Sequence, residues 1–325
     1  MVKFHPLIQE IFESSSIPIK ELEECSSRGV YLHTTTKQKY FTKVQNDVKQ
    51  MKGEIEGLKA MYRTTSFLEK GLVPKIIGFK VNEAESKSES AMITQYFELG
   101  SSPSSSGSSG YNLQRELGEK LAKMHHSIPQ NSNEQDQEEE EEEITYNGKY
   151  GFNVPTHCGI TEQDNTYEEN WETFYRDRRL GNLVKRINDN SINKEWELMK
   201  EKAVPLLLHS FEPSPKPVIL HGDLWSGNKG YDTISKTSVI FDPASYYGHN
   251  EADLGITHMF GGFTNDFYEA YHKVHPKSKP YYDERQKLYE LYHHLNHTLM
   301  FGGSYKSGSL SIMRSLNEWA KDKEL

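Results

Sequence analysis

His221-Gly222-Asp223-Leu224-Trp225-Ser226-Gly227-Asn228 holds an Asp and an Asn five positions apart in a short polar stretch. The strand-like run Pro217-Val218-Ile219-Leu220 precedes it, and fourteen residues beyond Asn228 the apolar run Val239-Ile240-Phe241 ends in Asp242. Phosphoryl transfer asks a protein for this set: a carboxylate to take the proton of an attacking hydroxyl, and hard oxygen donors to hold Mg²⁺. Asp223 is the expected base; Asn228 and Asp242 are the expected metal ligands. Any one of them alone reads as a turn-capping residue, and it is the combination at this spacing that carries the chemistry. His221 is expected to hold the loop's shape by hydrogen bonding rather than to act as an acid or base.

The Asp-x-x-x-x-Asn spacing is that of a kinase catalytic loop, so a nucleotide site is expected elsewhere in the chain. Lys43 ends the alternating run Tyr40-Phe41-Thr42-Lys43-Val44. A lysine pointing into a cleft from a central strand can neutralise the α- and β-phosphates, whereas on an edge strand it would be a surface residue. Such an ammonium needs a partner; Glu54 on the following helix is the natural one and Glu56 the fallback. Cys25-Ser26-Ser27-Arg28-Gly29 lies where a phosphate-covering loop belongs, though it is no GxGxxG, and the backbone N–H groups of Ser26, Ser27 and Gly29 are expected to face phosphate oxygens. Cys25 reads as an inert thiol before an oxidisable one, since nothing in the sequence fixes its pKa. His293, His294 and His297 share one helical stretch, but without the Glu of HExxH they fit core or substrate-facing side chains better than a metal site.

The chain has 325 residues, enough for about two lobes. Its 35% hydrophobic content and mean hydropathy of −0.77 are low. Much of that deficit falls in two segments: Gly100 to Gly110, a Ser/Gly run expected to be a flexible linker, and Asn131 to Glu143, an acidic stretch expected to be a disordered, solvated loop. The net charge of −9 without a basic stripe argues against nucleic acid as a partner. Two cysteines make no disulfide framework and fit a reducing compartment. With neither a signal-peptide pattern nor an apolar run of membrane length, a cytoplasmic protein is expected. Leu7, Ile8, Ile11 and Phe12 predict an N-terminal helix. Val30 to Thr34 and Tyr40 to Val44 predict a hairpin, Gln50 to Phe67 a helix, Leu72 to Gly78 and Ala91 to Thr94 further strands, and Leu113, Leu117, Leu121 and Met124 another helix. No internal repeat is visible.

The octapeptide, with Phe241-Asp242-Pro243-Ala244-Ser245-Tyr246-Tyr247-Gly248-His249 and Met259-Phe260-Gly261-Gly262-Phe263, resembles the fructosamine-3-kinase/ketosamine-3-kinase family. Lys149-Tyr150-Gly151-Phe152, Trp171-Glu172-Thr173-Phe174-Tyr175 and Tyr292 to His297 extend the likeness over most of the chain. The resemblance implies an α+β, two-lobed protein-kinase-like fold of the aminoglycoside/choline kinase type. It would have a small mainly-β N-lobe at 1–99, the linker at 100–110 and a larger mainly-α C-lobe at 111–325. It also implies ATP and Mg²⁺ as cofactors and transfer of phosphate to the 3-hydroxyl of protein-bound or small ketosamines, ribulosamine or fructosamine, leading to protein deglycation. Asp223 falls on the family's proton acceptor, Lys43 on its nucleotide lysine, and Gln95-Tyr96-Phe97 on its adenine hinge. That hinge also suits its place between an apolar run and the linker. Trp225 is the candidate sugar wall; Trp171, Arg178 and Arg179 are weaker substrate candidates. The glycine-poor phosphate loop and the serine-rich insertion after the hinge depart from the pattern. A kinase of another small hydroxylated metabolite and a pseudokinase binding module are the alternatives, and the presence of base, metal ligands and lysine counts against the second.

Overall fold

The computed structural model describes residues 4–26, 29–84, 87–101, 112–126, 146–209 and 214–323. Ser27, almost all of the expected linker and the whole expected acidic loop lie outside the described residues. Helix α1 (Pro6–Ser14) leads into strands β1 (Leu22–Ser26), β2 (Val30–His33) and β3 (Lys39–Gln45). Helix α2 (Val48–Thr65) and strands β4 (Ile76–Ala84) and β5 (Lys87–Gln95) follow. The strands form one antiparallel sheet in the order β1-β2-β3-β5-β4, so β3 is central.

Alternation along β5 assigns the two faces of this sheet. Ala91 and Ile93 join Leu7, Ile8, Ile11 and Phe12 of α1 in one apolar cluster. Met92 points the other way and packs with Met51, Ile55 and Leu58 of α2. That second cluster continues without a break into the rest of the molecule, so α2 is shared between the sheet and the helical part. The expected strand from Leu72 begins only at Ile76. Pro74 cannot donate to a ladder, and Leu72 instead stays buried with its carbonyl accepting from the Ile240 N–H.

The helical part opens with α3 (Leu113–His126), followed by the short hairpin β6 (Thr156–Cys158) and β7 (Thr161–Gln163). Helix α4 (Trp171–Thr173) continues through a π-helical stretch, Phe174–Gly181, into α5 (Asn182–Ile187). In the same way α6 (Asn190–Leu198) runs through Met199–Ala203 into α7 (Val204–Leu208). Strand β8 (Val218–Leu220), hairpin β9 (Lys229–Asp232) and β10 (Thr237–Ile240), and strand β11 (Tyr246–Gly248) come next. Helices α8 (Gly255–Met259), α9 (Asn265–His272), α10 (Tyr282–Phe301) and α11 (Ser304–Ala320) complete the part. The fold is α+β, with a sheet-rich N-terminal lobe and a larger helical one. Among the described residues no helix is long and apolar enough to cross a membrane.

The helical lobe buries the ion pair of Arg285 and Glu251. Arg285 of α10 donates from Nε to Glu251 at 2.7 Å, and its Nη1 and Nη2 serve the carbonyls of Pro280 and Ser278. Both side chains are almost wholly buried, so removing one leaves an uncompensated charge. Arg285→Met is therefore expected to cost ~3–5 kcal/mol in urea unfolding; a loss below about 1 kcal/mol would mean that the pair behaves as a surface one.

Candidate active site

The octapeptide leaves β8, and β8 pairs with β11. Gly222 makes the exit turn at φ +80°, where a Cβ would collide with the Ala244 carbonyl, so only glycine fits. The neutral His221 ring bridges the loop: Nε2 donates to the Phe241 carbonyl at 2.9 Å and Nδ1 accepts from the Asp223 N–H at 3.2 Å. Burial pushes its pKa down, which keeps the ring neutral. Its shaping role is thus visible in the structure. A residue that the sequence did not flag does as much: buried Asp253 accepts from the backbone N–H groups of His221 and Gly222, each at 2.7 Å. His125 Nε2 donates to the same carboxylate at 3.1 Å, and His125 Nδ1 meets the Tyr271 hydroxyl at 2.7 Å. The only hint in the sequence was an acid beside the apolar Leu254-Gly255-Ile256.

The β9–β10 hairpin then folds Asn228 and Asp242 together, because Lys229 pairs with Ile240 and the Phe241 N–H donates to the Asn228 carbonyl. Asn228 Nδ2 donates to the Asp223 carbonyl at 2.9 Å, to Asp223 Oδ2 at 3.3 Å and to the Asp242 carbonyl at 3.3 Å. The amide nitrogen carries these bonds, which leaves Oδ1 as the atom to offer a cation. Asp242 is exposed and sits at φ +54°, a left-handed conformation uncommon outside glycine. Burial raises the Asp223 carboxyl to about 6; hydrogen bonds from Cys158 and Asn228 pull the other way, and the charges of Asp253 and Asp242 add to the rise.

Lys43 pairs with Met92 across β3 and β5, so it shares the face that α2 covers. Its Nζ lies 2.6 Å from Glu54 Oε2, and Glu56 is engaged with Lys59 instead. Glu54 is buried and its pKa is raised, first by burial, with Lys43 opposing and Asp242 adding to it. The charges of both Lys43 and Asp242 thus reach Glu54, which places the three at one cleft. Two glycines unremarked in the sequence flank Glu54 on α2. A Cβ on Gly53 would lie 2.5 Å from the Pro155 carbonyl, and one on Gly57 2.9 Å from Ser245 Oγ. Helix α2 therefore rests on the helical lobe, and Glu54 is fixed between the two contacts.

After β5, the Tyr96 N–H donates to the Lys39 carbonyl and the Glu98 N–H to Asp232 Oδ1 at 2.8 Å, tying Gln95-Tyr96-Phe97 to both lobes. In the β1–β2 turn Gly29 departs from expectation. The Gly29 N–H donates to the Ser26 carbonyl at 3.1 Å rather than facing outward, and Gly29 at φ +79° lies against Thr42. Trp225 is 39% exposed, with its ring over Gly227 and 5.9 Å from Phe260. The weaker substrate candidates are structural. Buried Trp171 donates to the Tyr289 hydroxyl at 3.0 Å, and Arg178 is paired with Asp164 and Glu168. Arg179 is buried and donates to Asn165 Oδ1 at 2.6 Å, with its guanidinium 4.0 Å from the Tyr246 ring centre.

A model of the fructosamine kinase family matches residues 9–318. The ketosamine-3-kinase of Mus musculus is 34% identical over 307 residues, covering 90% of this chain and 93% of that protein. The chloroplastic protein-ribulosamine 3-kinase of Arabidopsis thaliana is 36% identical over 280 residues, covering 84% and 74%. A solved candidate fructosamine-3-kinase from Thermobifida fusca matches with a TM-score of 0.69 at 21% identity, over 97% of this chain and 100% of that one. A thermostable mutant of the aminoglycoside phosphotransferase APH(4)-Ia, in complex with AMP-PNP and hygromycin B, gives a TM-score of 0.57 at 10% identity, over 97% and 99%. These two likenesses show the kinase-like fold.

Gly57→Val is expected to push α2 away from Ser245 and loosen the Lys43–Glu54 pair. Binding of a fluorescent ATP analogue should weaken at least about tenfold, as 1.4 kcal/mol or more of lost positioning implies; wild-type affinity would show that the glycine contact does not govern the pair.

Proposed function

The chain belongs to the fructosamine kinase family and is a phosphotransferase, and from that premise we propose that it uses ATP to phosphorylate the 3-hydroxyl of ribulosamines or fructosamines, protein-bound or small. Asp223 takes the hydroxyl proton as the oxygen attacks the γ-phosphorus; the new O–P bond forms while the bond to the leaving ADP breaks. Lys43, held by Glu54, faces the α- and β-phosphates, and Gln95-Tyr96-Phe97 borders the adenine. Asn228 Oδ1 and the exposed Asp242 carboxylate fit a hard cation and would hold Mg²⁺, which supplies neutralisation of phosphate charge. The observation that carries the reading is the convergence of Asp223, Asn228, Asp242 and the Lys43–Glu54 pair on one cleft.

The acceptor side rests on Trp225. Its exposed ring, two residues past Asp223 and backed by Phe260, gives a sugar a flat apolar wall. An open rim of this kind accepts glycated lysines with little regard for the neighbouring sequence. The phosphorylated adduct then breaks down without the enzyme and frees the amine, which makes the activity a deglycation. Both cysteines are free, in keeping with a cytoplasmic setting.

ADP formation measured side by side with a ribulosamine, a fructosamine and the free sugars tests the proposal. Turnover of a ketosamine above the free sugars is expected, with ribulosamine favoured; turnover of another metabolite alone, or of nothing, would replace it with one of the two alternatives. Asp223→Asn should lower kcat by ~10²- to 10⁴-fold while ATP affinity stays near wild type. Wild-type rates in that variant would rule Asp223 out as the base.

A further inference from the structure

One cluster joins the proposed base to two side chains that the mechanism above does not use. The Sγ of Cys158, a carboxylate oxygen of Asp223 and a ring nitrogen of His293 all lie within 4.8 Å of one another. They come from three places far apart in sequence: the end of β6, the octapeptide and the middle of α10. Cys158 and His293 are 2% and 3% exposed, and Asp223 is half-buried at the cleft. His293 Nδ1 is buried with no hydrogen-bond partner among the described residues. An unserved polar atom in the core is costly, and a donor set of thiol, imidazole and carboxylate suits a borderline-soft divalent ion.

We propose that Cys158, Asp223 and His293 form a Zn²⁺ site that switches the enzyme off by occupying the base. Three protein ligands leave a tetrahedral Zn²⁺ one further position, which water would fill. Binding expels the Cys158 thiol proton to solvent. Thiolate and carboxylate together then balance the two charges of the ion, so a neutral unit is buried instead of separate charges. The carboxylates of Asp242 and Asp253 add negative potential near Asp223. The guanidinium of Arg179 opposes a cation near Cys158, but it is itself turned to Asn165. Mg²⁺ is a hard ion that takes oxygen ligands, so Asn228 and Asp242 remain its side of the cleft. His293 thus has a reading beyond the core or substrate-facing position expected for it. The inhibitory half of the proposal rests on Asp223 being the base; the binding half does not.

Titration with Co²⁺ tests the binding without ATP or acceptor. Only Cys25 and Cys158 can give a thiolate-to-cobalt charge-transfer band. One equivalent should produce that band in the wild type and in Cys25→Ser and fail to in Cys158→Ser. His293→Gln should bind Co²⁺ at least about tenfold more weakly, since loss of a ligand costs no less than loss of its outer-shell support. No band in the wild type, a band lost in Cys25→Ser, or undiminished affinity in His293→Gln would overturn the site. Zn²⁺ added in excess Mg²⁺ should lower kcat without raising KM for ATP; Zn²⁺ that binds and leaves kcat unchanged would overturn the inhibition. Failure of ketosamine turnover would leave the cobalt band untouched, and absence of the band would leave the kinase reading untouched.

Discussion

The Asp253 carboxylate is the fixed point of the cleft. It spends both oxygens on successive backbone N–H groups, those of His221 and Gly222, and takes a third bond from His125. Hydrogen bonds to a charged acceptor are worth roughly 1.5–3 kcal/mol each, and the buried charge is tolerable only because all three are made. With the loop's entry held there, the His221 ring can reach Phe241 on one side and the Asp223 amide on the other. The spacing of Asp223, Asn228 and Asp242 follows from this backbone geometry and from the Asn228 amide, which donates to the Asp223 and Asp242 carbonyls.

The second constraint joins the lobes. In a two-lobed kinase the lysine and its glutamate sit on one lobe and the base and metal ligands on the other, so something must register the two. Here Gly53 and Gly57 let α2 approach Pro155 and Ser245 closely, while Glu98 reaches Asp232 near the hinge. Glu54 feels the charge of Asp242 across the resulting cleft. The sheet-side half of the site is thereby set by packing on the helical side.

Most of the fold was legible because the signals were local. Alternation in Tyr40 to Val44 and the helical spacing at Leu7 to Phe12 survive into β3 and α1. The boundary at Leu72 did not survive, because Pro74 breaks the ladder and the apolar pair packs as a buried loop. Glu54 was legible as the partner of Lys43, since the α2 face could be read from its apolar positions. Asp253 was not, because its partners are backbone amides 31 and 32 residues away that no side-chain pattern marks. Gly53 and Gly57 carried no mark in the sequence, because the Pro155 and Ser245 they lie against are about a hundred residues or more away in the chain. Gly29 misled in the opposite direction, because its N–H closes its own turn. Cys158 and His293 gave no joint signal, lying 135 residues apart in the chain.

The central claim is that the cleft directs a phosphoryl group from ATP to one hydroxyl of a sugar borne on an amine. Phosphorus–proton correlation spectra of the product made from a ribulosylated lysine peptide read this directly. The account predicts the phosphate on O3, followed by appearance of the unmodified lysine as that signal decays. Phosphate on another hydroxyl, or a stable phosphorylated adduct that never releases the amine, would contradict it.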